Sequence, residues 1–195
     1  MIIDNFEKII SLMKFEKDTE FYFIQIISRK KDNPWTKASW VVMKEYSIFS
    51  IEDLMKKTIE ITEICNTYNA RAYIRLSRRD TKDIAIDMIW LLAKALQDRS
   101  FNHIRKLYST AVWRSKWLDK LWIIDIDWEC SIPSALSLEA FLNTLRPVWW
   151  KVIEHIPTPN WLHIITKPFD LKEFNSEGLD IDVHKNNPTI LYSNT

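Results

Sequence analysis

The chain has 195 residues, 47% of them apolar and 27% charged, with a net charge of +1 at neutral pH. That length suits one domain with a substantial core, and the near-zero balance excludes nucleic-acid binding through global charge, leaving it to local patches. No apolar run is long enough to cross a membrane and no basic-then-apolar signal segment opens the chain, so the expectation is a cytoplasmic protein with no membrane partner.

The predicted elements follow in chain order. Phe6, Ile9, Ile10 and Met13 recur at helical spacing, predicting a helix over 4–14. Aromatic and β-branched residues predict strands over 20–28 and 39–48, joined by a basic turn as a hairpin. Ser50 caps a helix running to about Tyr68, with Asp53 completing an approximate capping box. Ala72, Ile74 and Leu76 alternate with Arg71, Tyr73, Arg75 and Ser77, predicting a strand over 70–78. A helix begins at Asp80 or Thr81 with Ile84, Met88, Leu91, Leu92, Ala95 and Leu96 on its buried side, and another spans about 102–112. The second part of the chain reads as a strand over 120–127, a helix over 137–145 and strands over 150–156 and 162–166. A short helical turn capped by Asp170 and strands over 179–183 and 189–192 complete it. Strands and helices mixed in this order indicate an α/β or α+β protein. We take α+β, a mixed or antiparallel sheet with flanking helices, in one domain with an N-terminal portion of about 1–118 and an acidic portion of about 119–195.

The composition holds one oddity: 1 Gly against 10 Trp. An average domain has about 7% Gly, and glycine serves turns that other residues make only with strain. Several tryptophans stand where a glycine is expected: Trp35 in Asn33-Pro34-Trp35-Thr36, Trp149-Trp150 after Pro147, and Trp161 after Asn160. Asn-Gly is a standard turn dipeptide and Asn-Trp is not. Two readings stand: a Trp-rich protein, or a gene whose UGA codons mean glycine. Trp122, inside an apolar strand, reads as a true tryptophan under both. Cys65 and Cys130 are isolated and read as free thiols.

The segment richest in chemistry is Leu121-Trp122-Ile123-Ile124-Asp125-Ile126-Asp127. On a strand, residues i and i+2 share a face, so the Asp125 and Asp127 carboxylates project together. Such a pair repels itself unless a hard divalent cation lies between them. A buried strand ending in paired acids is thus a candidate metal-dependent centre for phosphoryl transfer; a strand ending at a solvated acidic edge is the plainer alternative. Downstream, the turn Thr158-Pro159-Asn160-Trp161 delivers His163 onto a strand, where it can meet a triphosphate or simply sit at a hairpin edge. In Leu179-Asp180-Ile181-Asp182-Val183-His184-Lys185 the acids and His184 fall opposite the apolar residues. Asp180 or Asp182 is then a candidate third carboxylate, with an amphipathic edge strand as the alternative. Arg71, Arg75, Arg78 and Arg79 form one basic cluster and Arg105, Lys106, Arg114, Lys116 and Lys120 a second, either of which could engage phosphates. Tyr73 lies between Arg71 and Arg75, placed to stack a base or to cover a helix.

In order, these pieces resemble the archaeo-eukaryotic primase superfamily, the primase-polymerases. Ile123-Ile124-Asp125-Ile126-Asp127 resembles its apolar strand ending in Asp-x-Asp. Trp161-Leu162-His163 resembles its small-x-His motif, more closely if position 161 is glycine, and Asp180 or Asp182 its later acid. The resemblance covers roughly the C-terminal half, and no zinc-binding stem accompanies it. It implies metal-dependent nucleotidyl transfer on a single-stranded template, with Asp125, Asp127 and Asp182 holding Mg²⁺ or Mn²⁺. Asp125, Asp127, His163 and Asp180 or Asp182 would form the catalytic set. Nucleoside triphosphates and single-stranded nucleic acid are the implied partners, and Arg75, Arg78, Arg79, Asn160, His184 and Lys185 are the candidate substrate contacts. A small replication protein of this kind suits a phage or mobile element. The rival readings are a metal-dependent nuclease using the same acids and a non-catalytic nucleic-acid-binding or interaction protein.

Overall fold

Strand-forming residues in the first fifty positions pair with the chain's last few. The computed structural model describes residues 1–127, 135–176, 178–179 and 181–194. The N-terminal elements are β1 (Ile2–Asp4), α1 (Phe6–Leu12), β2 (Glu20–Arg29), β3 (Trp40–Ile48), α2 (Ile51–Tyr68), β4 (Arg71–Ile74), β5 (Arg79–Asp80) and α3 (Thr81–Gln97). A 3-10 turn (Phe101–Lys106) leads into α4 (Leu107–Arg114). Then come β6 (Trp122–Asp127), α5 (Ala135–Thr144), β7 (Val152–Thr158), β8 (Trp161–Thr166), α6 (Leu171–Ser176), β9 (Asp182–His184) and β10 (Thr189–Asn194).

The fold is α+β, and its strands form two antiparallel sheets. The first runs β1-β10-β4-β2-β3, with the short β5 continuing beside β2; the second runs β7-β8-β6-β9. β10 lies between β1 and β4, so the chain's last strand completes the sheet its first residues begin. The acidic portion is therefore tied into the N-terminal one. Asn5 tightens this tie from a buried position, its amide donating to the Pro157 carbonyl at 3.0 Å and the Ile190 carbonyl at 3.1 Å.

β6 shows why the second sheet holds two kinds of chemistry. Its alternation sends Ile124 and Ile126 to one face, where they pack with Leu138 and Leu142 of α5, Ile164 of β8 and Phe174 of α6. Ile123, on the other face with Asp125 and Asp127, joins the main core of Ile9, Ile24, Ile26, Leu54, Ile61 and Leu191. One face of β6 is thus wholly apolar, while the other is apolar at its start and acidic at its end.

Ser50 caps α2 as expected, accepting from the Asp53 amide at 3.1 Å. Asp53 reciprocates on the Phe49 amide, one residue before the cap. Three expectations need correction. The first helix is shorter, because Ile2–Asp4 pair with β10, a partner nearly two hundred residues away. The strand expected over 70–78 stops at Ile74 and resumes as β5. On α3, Ile84 is buried and Met88 and Leu91 are partly covered, but Leu92 and Leu96 stand exposed. Only the first half of that helix lies over Phe21 and Phe23 of β2.

Candidate functional site

Register assembles the site. Asp125 of β6 is paired directly with His163 of β8 on one side and Asp182 of β9 on the other. Ile123 is paired with His184. Directly opposed residues of an antiparallel pair share a face. Asp125, Asp127, His163, Asp182 and His184 therefore all project from one side of the second sheet. Asp180 lies outside the described residues.

Side-chain contacts follow that register. His163 Nε2 donates to Asp125 Oδ1 across 3.2 Å, and its Nδ1 shares a 2.8 Å hydrogen bond with Thr189 Oγ1 of β10. Thr189 is fully buried, so it fixes the ring from behind. His184 Nε2 lies 3.9 Å from Asp125 Oδ2. The hydrogen bond from His163 holds the Asp125 carboxyl below its usual range, and partial burial opposes it. The charges of His163, His184 and Lys31 add to the lowering.

A cleft opens in front of these groups. Arg29, Arg71 and Tyr73 of the first sheet line it together with Asp125, His163 and His184; Thr158, Asn160 and Asn187 complete its rim. Arg29 donates to the Tyr73 hydroxyl at 3.2 Å, and Arg71 pairs with the buried Asp32 at 2.6 Å. Lys31 stands nearby, its ammonium pushed below the usual value by burial and then by Arg29 and Arg71, while Asp32 and Asp127 pull the other way. Positive charge thus gathers on the first-sheet side and the Asp125 carboxylate with two imidazoles on the second. The cleft encloses about 240 Å³. A site for a drug-sized ligand usually spans about 300–1,000 Å³, so this cleft is smaller than such a site.

The donor set suits a hard divalent cation in kind, since carboxylate oxygens are the preferred ligands of Mg²⁺ and Mn²⁺. It also suits one in register, with Asp125 between Asp182 and the acid two residues on. The side chains themselves turn the Asp125 oxygens toward His163 and His184. Among the described residues no three His, Cys, Asp or Glu side chains converge as a metal-holding group.

The sequence-based candidates separate clearly. Asn160 and His184 line the cleft. Lys185 lies on the far side of its strand, its ammonium 5.2 Å above the Trp122 ring. Arg78 is a buried hub. It binds Asp119 bidentately at 2.9 and 3.0 Å, Glu20 at 2.7 Å and Glu16 at 3.2 Å, leaving no reach for a substrate. Arg79 is fully buried and donates to the Val112 carbonyl. Arg75, only 2% exposed, stacks on Trp113 and donates to the carbonyl and side-chain oxygens of Asn186 at 2.8 and 2.9 Å. Burial lowers the Arg75 guanidinium to about 9, with help from Arg79, and the Arg79 guanidinium to about 10. These two arginines grip the loop between His184 and the Asn187 rim and do not line the cleft. The second basic cluster is elsewhere as well: Arg114 covers Trp90, and Arg105 and Lys106 line a separate groove beside β3.

Arg29, Lys31 and Thr189 were missed as site residues, and Arg71 was recognised only as part of a basic cluster. Arg29 enters through the pairing of Ile27 with Arg71, which carries the next outward residue of β2 to the cleft. Thr189 enters through β10. Neither pairing leaves a local trace in the sequence. No protein-family model matches the chain, and comparison with curated proteins and with solved structures finds no match either.

Proposed function

We propose that this cleft carries out metal-dependent nucleotidyl transfer on a single-stranded nucleic-acid template, as a primase or polymerase does. The observation that carries the reading is the cleft that sets Asp125, His163 and His184 opposite Arg29 and Arg71, with Asp127 and Asp182 on the same face of the sheet but outside the cleft's lining. An acid on one wall, with two more on the same sheet face, and guanidinium groups on the other suit the two needs of phosphoryl transfer, a cation site and a grip on phosphate oxygens. Asp125, Asp127 and Asp182 would hold Mg²⁺ or Mn²⁺, which when bound supplies charge neutralisation and a more acidic attacking hydroxyl.

The chain's own residues have distinct parts in this reading. His163, held by Thr189, presents a fixed ring to the triphosphate. Arg29 neutralises the outer phosphates, Arg71, buried and paired with Asp32, adds its charge from behind, and Tyr73 orients Arg29 and offers its ring to a base. Asn160 and Asn187 supply polar contacts at the rim.

The test is nucleotide incorporation on primed and unprimed single strands with Mg²⁺ or Mn²⁺, using Asp125→Asn with Asp127→Asn as control. Metal-dependent extension that vanishes in the control establishes the reading. An intact strand without extension points to a binding protein, and degradation of the strand points to a nuclease using the same acids.

A further inference from the structure

Position 161 has a backbone that its residue does not suit. Trp161 adopts φ +152°, a region essentially reserved for glycine because a Cβ there crowds the neighbouring peptide. Among the described residues, the other non-glycine positions at positive φ, Asn69 at +47° and Arg99 at +51°, lie in the common left-handed well close behind helices. A bulky ring at +152° is a different matter.

The strand pattern registers the same distortion. Trp161 is paired with Asp127 on one side and Thr158 on the other, and regular alternation would put its side chain on the acid face with His163. Trp161 instead packs with the apolar cluster on the opposite face, as its neighbour Leu162 does. Two successive residues of one strand share a face, and the unusual φ is the hinge that permits it. The turn before it is tightly specified: Thr158 Oγ1 accepts from the amides of Asn160 at 3.3 Å and Trp161 at 3.1 Å.

Composition makes the case general. At about 7% a chain of this length would hold roughly 14 glycines; this one holds 1 beside 10 tryptophans. Tryptophan is among the more buried residues on average, yet Trp35, Trp40, Trp149 and Trp150 stand exposed, Trp35 at 81% in a turn. Trp122 behaves otherwise. It is half-buried and meets Phe169 edge to face at 5.0 Å.

We propose that position 161 is occupied by glycine in the native polypeptide, encoded by UGA, and that this glycine makes the Thr158–Asn160 turn at the rim of the cleft without strain. UGA differs by one base from the glycine codon GGA, so a glycine tRNA needs a single anticodon change to read it. The same assignment covers exposed turn positions such as Trp35, whereas Trp122 is a true tryptophan encoded by UGG. This inference does not depend on what the cleft catalyses.

The deciding measurement is mass spectrometry of the protein recovered from the cells that carry the gene, read beside its codons. Glycine in the peptide spanning 152–166, with UGA at 161 and UGG at 122, establishes the proposal; tryptophan in that peptide overturns it. A second measurement reads the backbone alone by comparing Trp161→Gly with Trp161→Ala. Both remove the indole, so their difference reports the conformation. The glycine variant is expected to melt about 2–8 °C higher, and an equal or lower melting temperature overturns the backbone argument.

Discussion

Asp119 and Asp125 stand six residues apart around the start of β6, and their surroundings are opposites. Asp119 is saturated: it accepts from the Arg78 side chain and amide, and Lys14 lies 3.1 Å away. Burial works against its charge, and these hydrogen bonds outweigh it, so its carboxyl sits below the usual range. Asp125 also sits low, but through His163 first and with a third of its side chain open to the cleft. An acid locked to an always-charged guanidinium fixes structure. An acid paired with imidazoles and left accessible can exchange its partner for a cation or substrate.

The sharpest way to break this comparison is at Arg78. Arg78→Met leaves the buried Glu20 without its cation and Asp119 with only the exposed Lys14, and stripping one member from a buried ion-pair network costs about 3–5 kcal/mol. Urea unfolding should show a midpoint shift of that size. A change below about 1 kcal/mol would mean that Asp119 is no more structural than Asp125.

Asp125→Asn should move stability far less, by under about 1 kcal/mol, because the group is partly exposed and the amide keeps a hydrogen-bonding oxygen toward His163. On the function proposed above, nucleotide incorporation should nonetheless fall to background. A variant that unfolds as readily as Arg78→Met would assign Asp125 to the fold instead.

Acid titration sharpens the same contrast. Both carboxyls have folded values below their unfolded ones. The stability they contribute is full above the ordinary carboxylate value near 4 and is lost as pH falls through the lower folded values. Asp119→Asn should remove more of this acid-side slope than Asp125→Asn, since solvent screens Asp125. Unfolding free energies between about pH 5 and 2 in the two variants measure the difference; equal slopes would erase the distinction.

How much of this was legible in the sequence follows from the range of each determinant. The Asp125 and Asp127 face and the capping by Ser50 and Asp170 are set within a few residues, and each is found in the structure; the alternation of Ala72, Ile74 and Leu76 with Arg71, Arg75 and Ser77 is not, since both sets are buried and the strand stops at Ile74. The direct pairing of His163 and Asp182 with Asp125 was expected only as convergence, because register between distant strands has no local signal. Arg75, Arg78 and Arg79 read as a phosphate-binding run because arginine on a strand ordinarily points to solvent. Here that segment is covered on both faces, so the guanidiniums had to find internal partners in Asp119, Glu20, Asn186 and the Val112 carbonyl. Thr189 was invisible for the same reason as β1: its place depends on the last strand returning to the first sheet.

The smallest expected effect lies across the cleft, at Tyr73. Its hydroxyl accepts from Arg29, a neutral oxygen holding a charged group in place, so Tyr73→Phe removes an orienting contact and leaves the ring and the charge. If Arg29 meets substrate phosphates, the loss should appear in substrate affinity. At about 0.5–1.5 kcal/mol for such a hydrogen bond, KM for the triphosphate should rise roughly 2- to 10-fold with kcat nearly unchanged. Tyr73→Ala removes the ring as well and should add a loss in template binding, visible as weaker retention of a fluorescent single strand. A Tyr73→Phe variant with unchanged KM, beside an Arg29→Gln variant that loses activity, would show that Arg29 needs no positioning. The first-sheet wall would then act through charge alone, as the Asp125 wall acts through both charge and geometry.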